Sequence, residues 1–293
     1  MNVSRARALA LIASAPLLTA CGSRAGTVRV GSKNFTESFV IAEIYAQALE
    51  GAGLHVERRF NLGSTQIAIA AMSRGDIDLY PEYTGTALID VLHLAPIADP
   101  HALYATVARE FAKRYGFVWL NPSPMNDSQA LATTKTIAAR ERLATLSDLA
   151  LKASRLRLAT IQEFLSRPDG LPGLQRAYGG FTFREVRTYD IALKYEALLS
   201  GKADVASAFT TDGAIAVDEL VVLRDDRHLW PPYNVAPVAR NAVLVAQPRI
   251  ARTLDGISPA ITNLAAQKMN AAVENEHRDP ADVASAFLAG LKR

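Results

Sequence analysis

Apolar positions recur along the chain in two alternating rhythms. Short runs rich in β-formers, Thr27 to Gly31 and His55 to Phe60, each lead into a stretch whose apolar residues return every three or four positions, from about Glu37 to Glu50 and about Gln66 to Arg74. In the first of these stretches Phe39, Ile41, Ala42, Ile44, Tyr45, Ala48 and Leu49 make one wide helical stripe, and Gly51 and Gly53 end it. A stripe of that width packs on a sheet. The alternation resumes with Ala130 to Thr134 as a strand, Asp148 to Lys152 as a short helix capped by Ser147, and Leu156 to Thr160 and Phe183 to Val186 as strands. From about Ser258 the spacing of Ile261, Leu264, Ala265, Met269 and Ala272 predicts a helix, and Asp279-Pro280 has the form of an N-cap followed by proline at the start of another. Strands and helices taking turns in two blocks predict an α/β fold with two sheets.

Two clusters of turn residues, Asn121-Pro122-Ser123-Pro124 and Trp230-Pro231-Pro232-Tyr233-Asn234, bracket the second block. A chain that leaves one lobe, builds another and returns produces this pattern. The expected lobes are residues 27–124 plus 230–293, and residues 125–229, joined by a two-segment hinge at the floor of a cleft. Closure around a small ligand is the natural use of that geometry.

The first twenty residues set the compartment. Arg5 and Arg7 precede a thirteen-residue uncharged stretch, Ala8 to Ala20, that ends in small residues before the lone Cys21. This is the form of an export signal over residues 1–20. At about 1.5 Å per residue the stretch spans roughly 20 Å, short of the roughly 30 Å hydrocarbon core, which argues against a permanent membrane span. Leu18-Thr19-Ala20-Cys21 resembles a bacterial lipobox, which implies lipidation of Cys21 and a membrane-anchored lipoprotein, periplasmic or on the cell surface.

Charge and cysteine content then exclude several classes. Loss of Arg5 and Arg7 with the leader leaves 30 basic against 29 acidic side chains, so no nucleic-acid partner is expected. A single cysteine and five scattered histidines offer neither an intramolecular disulfide nor a zinc cluster, and no metal or cofactor is expected. No Gly-x-Ser-x-Gly elbow, phosphate loop or metal-ligand helix motif is present, so the chain does not read as an enzyme. Asp76 and Asp78 read as acids at a turn before a strand, and His228 as a solvated loop histidine.

Three motifs occur in one order: Val30-Gly31-Ser32-Lys33-Asn34-Phe35-Thr36-Glu37, then Gly75-Asp76-Ile77-Asp78-Leu79-Tyr80-Pro81-Glu82-Tyr83-Thr84-Gly85-Thr86, then Arg167-Pro168-Asp169-Gly170-Leu171-Pro172-Gly173-Leu174. Thr211-Asp212-Gly213, Asp225-Asp226 and Pro231-Pro232-Tyr233-Asn234 follow. From about Thr27 to its end the chain resembles the glycine betaine/choline (osmoprotectant) solute-binding proteins of ABC importers. The resemblance implies a bilobal periplasmic-binding-protein-like fold of type II, a small quaternary ammonium ligand, ABC permease and ATPase partners, and a monomer.

A betaine carries a carboxylate at one end and, at the other, a quaternary ammonium that cannot donate a hydrogen bond. The resemblance places Lys33, Thr86 and Arg167 at the anionic end as donors. Aromatic faces suit the cation, each contributing roughly 0.5–2 kcal/mol, and Tyr83 and Tyr233 fit that role. Tyr83 sits in a proline- and glycine-interrupted stretch that reads as a loop. Where family members supply a further ring this chain has Gln129, and at another cage position it has Phe209, which has no hydroxyl. A lost ring at roughly 1–2 kcal/mol weakens binding by about 5- to 30-fold unless Asp127 or Gln129 makes a new contact. Choline, ergothioneine or an amino acid therefore remain as alternative ligands, and so does an exported interaction lipoprotein that has lost ligand binding. Tyr178, Tyr189 and Tyr195 read as structural.

Overall fold

The computed structural model describes residues 26–191, 193–217 and 220–291, so the export segment and Cys21 lie outside the described residues. The described residues form ten strands: β1 (Val28–Gly31), β2 (Val56–Arg59), β3 (Leu79–Tyr83), β4 (Phe117–Trp119), β5 (Gln129–Thr133), β6 (Arg157–Thr160), β7 (Glu185–Thr188), β8 (Val205–Phe209), β9 (Val221–Val222) and β10 (Val235–Arg240). They form two five-stranded mixed sheets, in the orders β2-β1-β3-β10-β4 and β7-β6-β8-β5-β9. The two orders are the same topology, each with three parallel strands, then one strand running against them (β10, β5), then an edge strand that again runs with the first three (β4, β9).

Each sheet carries the same lock. In the first, Asp78 Oδ2 accepts from the Arg29 backbone N–H and Nε, both at 2.9 Å, and Oδ1 accepts from Nη2 at 2.9 Å. In the second, Asp204 takes the Arg157 backbone N–H and Nε at 2.9 Å and Nη2 at 3.0 Å. Asp78 thus ties β1 to the start of β3, while Asp76 is exposed against Arg74. Burial would raise the Asp204 carboxyl, but the Arg157 hydrogen bonds outweigh it and hold it below the usual carboxylate range.

The expected helices form with small shifts. The stripe noted above lies on the helix Thr36–Gly51, which buries Ile41, Ile44, Tyr45 and Leu49, and Gly53 follows it in the left-handed region at φ +80. The short helix is Leu146–Ala150, and its cap is Thr145 in a capping box with Asp148, not Ser147. The strand expected at Phe183 begins at Glu185. Helices Asn241–Ala246 and Arg249–Ile257 precede the segment from Ser258, where the helix Asn263–Glu274 forms, and Asp279 does cap the helix Pro280–Gly290.

Residues Leu79 to Tyr83 are a fully buried central strand and not a loop. Pro81 is tolerated there because its pair with Pro237 of β10 is a non-hydrogen-bonded one. The pairs Thr84/Asn234 and Asp78/Arg240 carry bonds of this ladder, and the Pro237 carbonyl turns the other way to accept from Leu120, so the β3–β10 ladder needs an N–H from neither proline.

The chain crosses between the sheets twice, from β4 to β5 and from β9 to β10. The crossovers meet at an antiparallel bridge between Asn126 and Asn234, where Tyr233 N–H donates to Asn126 Oδ1 at 2.7 Å. A third connection comes from the helix Asn263–Glu274, which donates from Gln267 to the Thr210 carbonyl at 3.1 Å and from Asn270 to the Thr211 carbonyl at 2.9 Å. Gly213 permits this approach, since a Cβ there would meet Ala271 N at 2.6 Å and Cα at 2.7 Å. Gly213→Ala is expected to lower stability by about 1–3 kcal/mol through this backbone clash. Gly256→Ala, in a helix with nothing within 4 Å of the added carbon, is expected to be neutral or stabilising by up to about 1 kcal/mol. Urea unfolding of both variants checks the contrast.

Candidate ligand-binding site

A cavity of about 170 Å³ opens between the sheets where the parallel strands end. Residues following β1 and β6, and the last residues of β3 and β8, line it, as expected for ligand sites outside the carboxyl ends of strands. All eight residues expected at the site, Lys33, Tyr83, Thr86, Asp127, Gln129, Arg167, Phe209 and Tyr233, line this one cavity.

Tyr83 and Phe209 close β3 and β8, strands in equivalent positions of the two sheets, so the shared topology presents a ring from either side. Tyr233 forms part of the floor between them. Its ring is buried over Gly85, where a Cβ would come within 2.6 Å of the ring, so a glycine is required after Thr84. Gln129 opens β5 in register with Phe209, and Thr86 is buried in the turn after β3.

The two cations expected to receive a ligand carboxylate already have partners. Lys33 Nζ donates to Glu82 Oε1 at 2.8 Å and to Thr65 Oγ1 at 3.3 Å, and it lies 4.6 Å from the Tyr83 ring centroid. Glu82 is wholly buried and also accepts from the Tyr80 hydroxyl and the Tyr83 N–H. Arg167 donates to Asp169 through Nε at 2.8 Å and Nη2 at 2.7 Å, and its Nη1 lies 3.5 Å from Asp90. Asp169 also accepts from the Tyr233 hydroxyl. Burial alone would push the Asp169 carboxyl up, but the charge and hydrogen bonds of Arg167, with Tyr233 and Gln129, hold it below the usual carboxylate range.

The lining also carries a group of acids. Glu37 accepts from the Tyr83 hydroxyl at 2.7 Å and from Asn270 at 3.0 Å, and Asp127 accepts from Thr211. Asp212 accepts from Lys194 at 3.1 Å, from the Tyr195 hydroxyl and from the Phe209 N–H at 3.0 Å. Burial raises both the Glu37 and the Asp127 carboxyls, and for Asp127 the neighbouring Glu37 and Asp212 add to the rise. Glu274 is pushed up to about 7, by burial first and then by Asp212.

Sequence reading missed Glu37, Asp212 and Glu274 as lining residues. The first two lie inside motifs quoted above, so their positions were available. Glu274 ends a helix near the C-terminus, and only folding brings it to the cavity. Tyr178 and Tyr195 are structural as expected: Tyr178 donates to Asp225 and accepts from the Arg227 N–H, and Tyr195 donates to Asp212.

Arg167→Met leaves Asp169 buried without its counter-charge and is expected to cost about 3–5 kcal/mol of stability in urea unfolding. The pH response follows from the sign of the shift. A carboxyl whose folded value is lowered contributes stability above its unfolded value and loses it as pH falls through the folded value. The wild type should therefore keep this contribution through mildly acidic pH, whereas in the variant unopposed burial moves the loss to higher pH.

Residues 26–290 match the OpuAC family, described as the substrate binding domain of the ABC-type glycine betaine transport system. A glycine-betaine-binding protein of Pseudomonas aeruginosa is 36% identical over 287 residues, covering 94% of this chain and 92% of that protein. An ergothioneine transport permease/ergothioneine binding protein of Helicobacter pylori is 32% identical over 265 residues, covering 89% of this chain and 47% of that protein. A solved glycine betaine/carnitine/choline ABC transporter structure superposes with a TM-score of 0.75 at 32% identity, covering 90% of this chain and 98% of that one.

Proposed function

The chain belongs to the family of substrate-binding domains of ABC-type glycine betaine transport systems, and from that premise we propose that it captures glycine betaine or a related quaternary ammonium compound and delivers it to a permease driven by ATPase subunits. It is a binding component and not an enzyme, and it works outside the cytoplasm. The observation that carries the ligand reading is the cavity itself: ring faces at Tyr83 and Phe209, an acidic wall at Asp127, and the Arg167 fork converge on one small space at the strand ends.

In this reading residues 27–124 plus 230–293 form one lobe and residues 125–229 the other, with the bridged crossovers as the hinge. Ligand that contacts both lobes favours the closed arrangement. Export through residues 1–20, lipidation at Cys21 and a monomeric state complete the proposal. No helix among the described residues is long and apolar enough to cross a membrane; the attachment proposed here is the lipid at Cys21.

A second reading has its own support. Because Lys33 and Arg167 are matched by Glu82 and Asp169, less positive charge is left for a ligand carboxylate than their presence in the sequence implied. That favours a cation such as choline over a zwitterion.

Calorimetric titration of the protein from residue 22 onward with glycine betaine and with choline separates the readings. Saturable heat with a micromolar constant for betaine supports the first, choline alone supports the second, and no heat up to millimolar concentrations of either contradicts both. Tyr83→Ala is expected to weaken whichever ligand binds by about 5- to 30-fold, the loss of one cation-facing ring. Mass spectrometry of the membrane-extracted protein is expected to find an acylated Cys21 at the N-terminus, and an unmodified thiol there contradicts the anchor.

A further inference from the structure

Carboxylates outnumber cationic groups in this cavity. Among the described lining residues six side chains are acidic and two, Lys33 and Arg167, are basic, and both of those are paired. The surplus is concentrated at Glu37, Asp127, Asp212 and Glu274. These come from four places in the chain: the start of the helix Thr36–Gly51, the first crossover, the turn after β8, and the end of the helix Asn263–Glu274.

The groups facing this cluster from the packed elements are Tyr83 at the end of β3, Lys194 and Tyr195 on the helix Leu193–Leu199, and the Lys33–Glu82 pair beyond Tyr83. Lys194, wholly buried, is the cation in direct contact, and it is committed to Asp212. A separate observation marks the surroundings of Glu37 as short of donors. The Asn270 amide, 2% exposed, spends its N–H groups on Glu37 and Thr211, and its Oδ1 is buried with no hydrogen-bond partner among the described residues. Buried carboxylates short of counter-charge are costly, and a cation placed among them relieves that cost.

We infer that the carboxylate cluster, with Asp127 foremost, is the wall that holds the ligand's cationic end where the chain has no ring at Gln129, and that loading the cavity with a quaternary ammonium expels protons from the cluster. The inference rests on the quaternary ammonium reading above and adds the proton linkage to it. The direction follows from burial. In the empty cavity desolvation favours the protonated forms of Glu37, Asp127 and Glu274, the last pushed up to about 7, and a fixed positive charge beside them favours the ionised forms. Protons leave at any pH between the lower loaded values and the higher empty values, so affinity rises with pH through about 7 and falls on acidification. A quaternary ammonium has no proton of its own to lose, so any proton released comes from the protein.

The test uses the purified chain with tetramethylammonium, a cation that has neither carboxylate nor hydroxyl, and with glycine betaine and choline alongside. Calorimetry is run at pH 6 and pH 8, and at pH 7.5 in phosphate and in Tris, whose ionisation heats differ. The expected result is tighter tetramethylammonium binding at pH 8, by up to about tenfold per pH unit for each proton released, and heats that differ between the two buffers. Asp127→Asn is expected to weaken tetramethylammonium at pH 8 and flatten the pH response, and Glu274→Gln to flatten it in part. Should Asp127→Asn fail to fold by circular dichroism, the wild-type buffer comparison and Glu274→Gln decide. Betaine or choline binding with one affinity at both pH values and equal heats in both buffers overturns the inference and leaves the transport reading intact. The same holds if betaine binds but tetramethylammonium does not, or if a folded Asp127→Asn binds tetramethylammonium as tightly as the wild type. Failure of all three ligands at every pH overturns both.

Discussion

Asp169 must remain ionised while almost fully buried, and the site depends on how that is arranged. Arg167, two residues earlier, grips it with two hydrogen bonds and repays its desolvation. The fixed carboxylate then receives the Tyr233 hydroxyl from the second crossover, and its backbone carbonyl receives Trp230 Nε1 at 2.7 Å from the same segment. Through the other edge of Arg167 the pair reaches Asp90 in the helical segment Ala87–Val91 that follows β3. One buried ion pair thus joins the segment after the helix Gln162–Ser166, the returning crossover and the helical turn Ala87–Val91 beside the cavity. An arginine that a sequence reader assigns to ligand recognition is also a structural pin, and a carboxylate ligand arriving there shares Arg167 with two resident acids.

That sharing changes the physical account of recognition. Preorganised positive charge was expected at one end of the ligand and ring faces at the other. The resident lysine instead lies over Tyr83 with Glu82 beneath it, and a second lysine, Lys194, is 5.3 Å from the Phe209 centroid. The rings that face the cavity are already polarised from within the protein, and the unbalanced charge is negative. In the proposed reading, carboxylates and ring faces together attract the ligand's cationic end in a partly desolvated space, while Arg167 offers an anion only what its pairing with Asp169 leaves.

Much of the architecture was legible because it rests on periodicity. The apolar stripe from Phe39 to Leu49 fixed a helix against a sheet, and the proline and asparagine clusters at 121–124 and 230–234 marked both crossovers. The eight candidate residues converge on one cavity because the motifs sit where parallel strands end. Three things were hidden. Pro81 disguised a central strand, since its compatibility depends on falling at a non-hydrogen-bonded position of the ladder with β10, a strand about 150 positions away in the chain. The identical topology of the two sheets leaves almost no sequence trace beyond Arg29–Asp78 and Arg157–Asp204. The pairing of Lys33 and the arrival of Glu274 are tertiary facts, invisible to spacing.

A crystal structure of the chain with choline bound tests the central claim most directly, because it shows where the cation rests. The account places the trimethylammonium group between the Tyr83 and Phe209 rings and against the Asp127 carboxylate, with the Arg167–Asp169 pair unbroken. A trimethylammonium group at the Arg167 end, or an Arg167 released from Asp169 to meet the ligand, would contradict it.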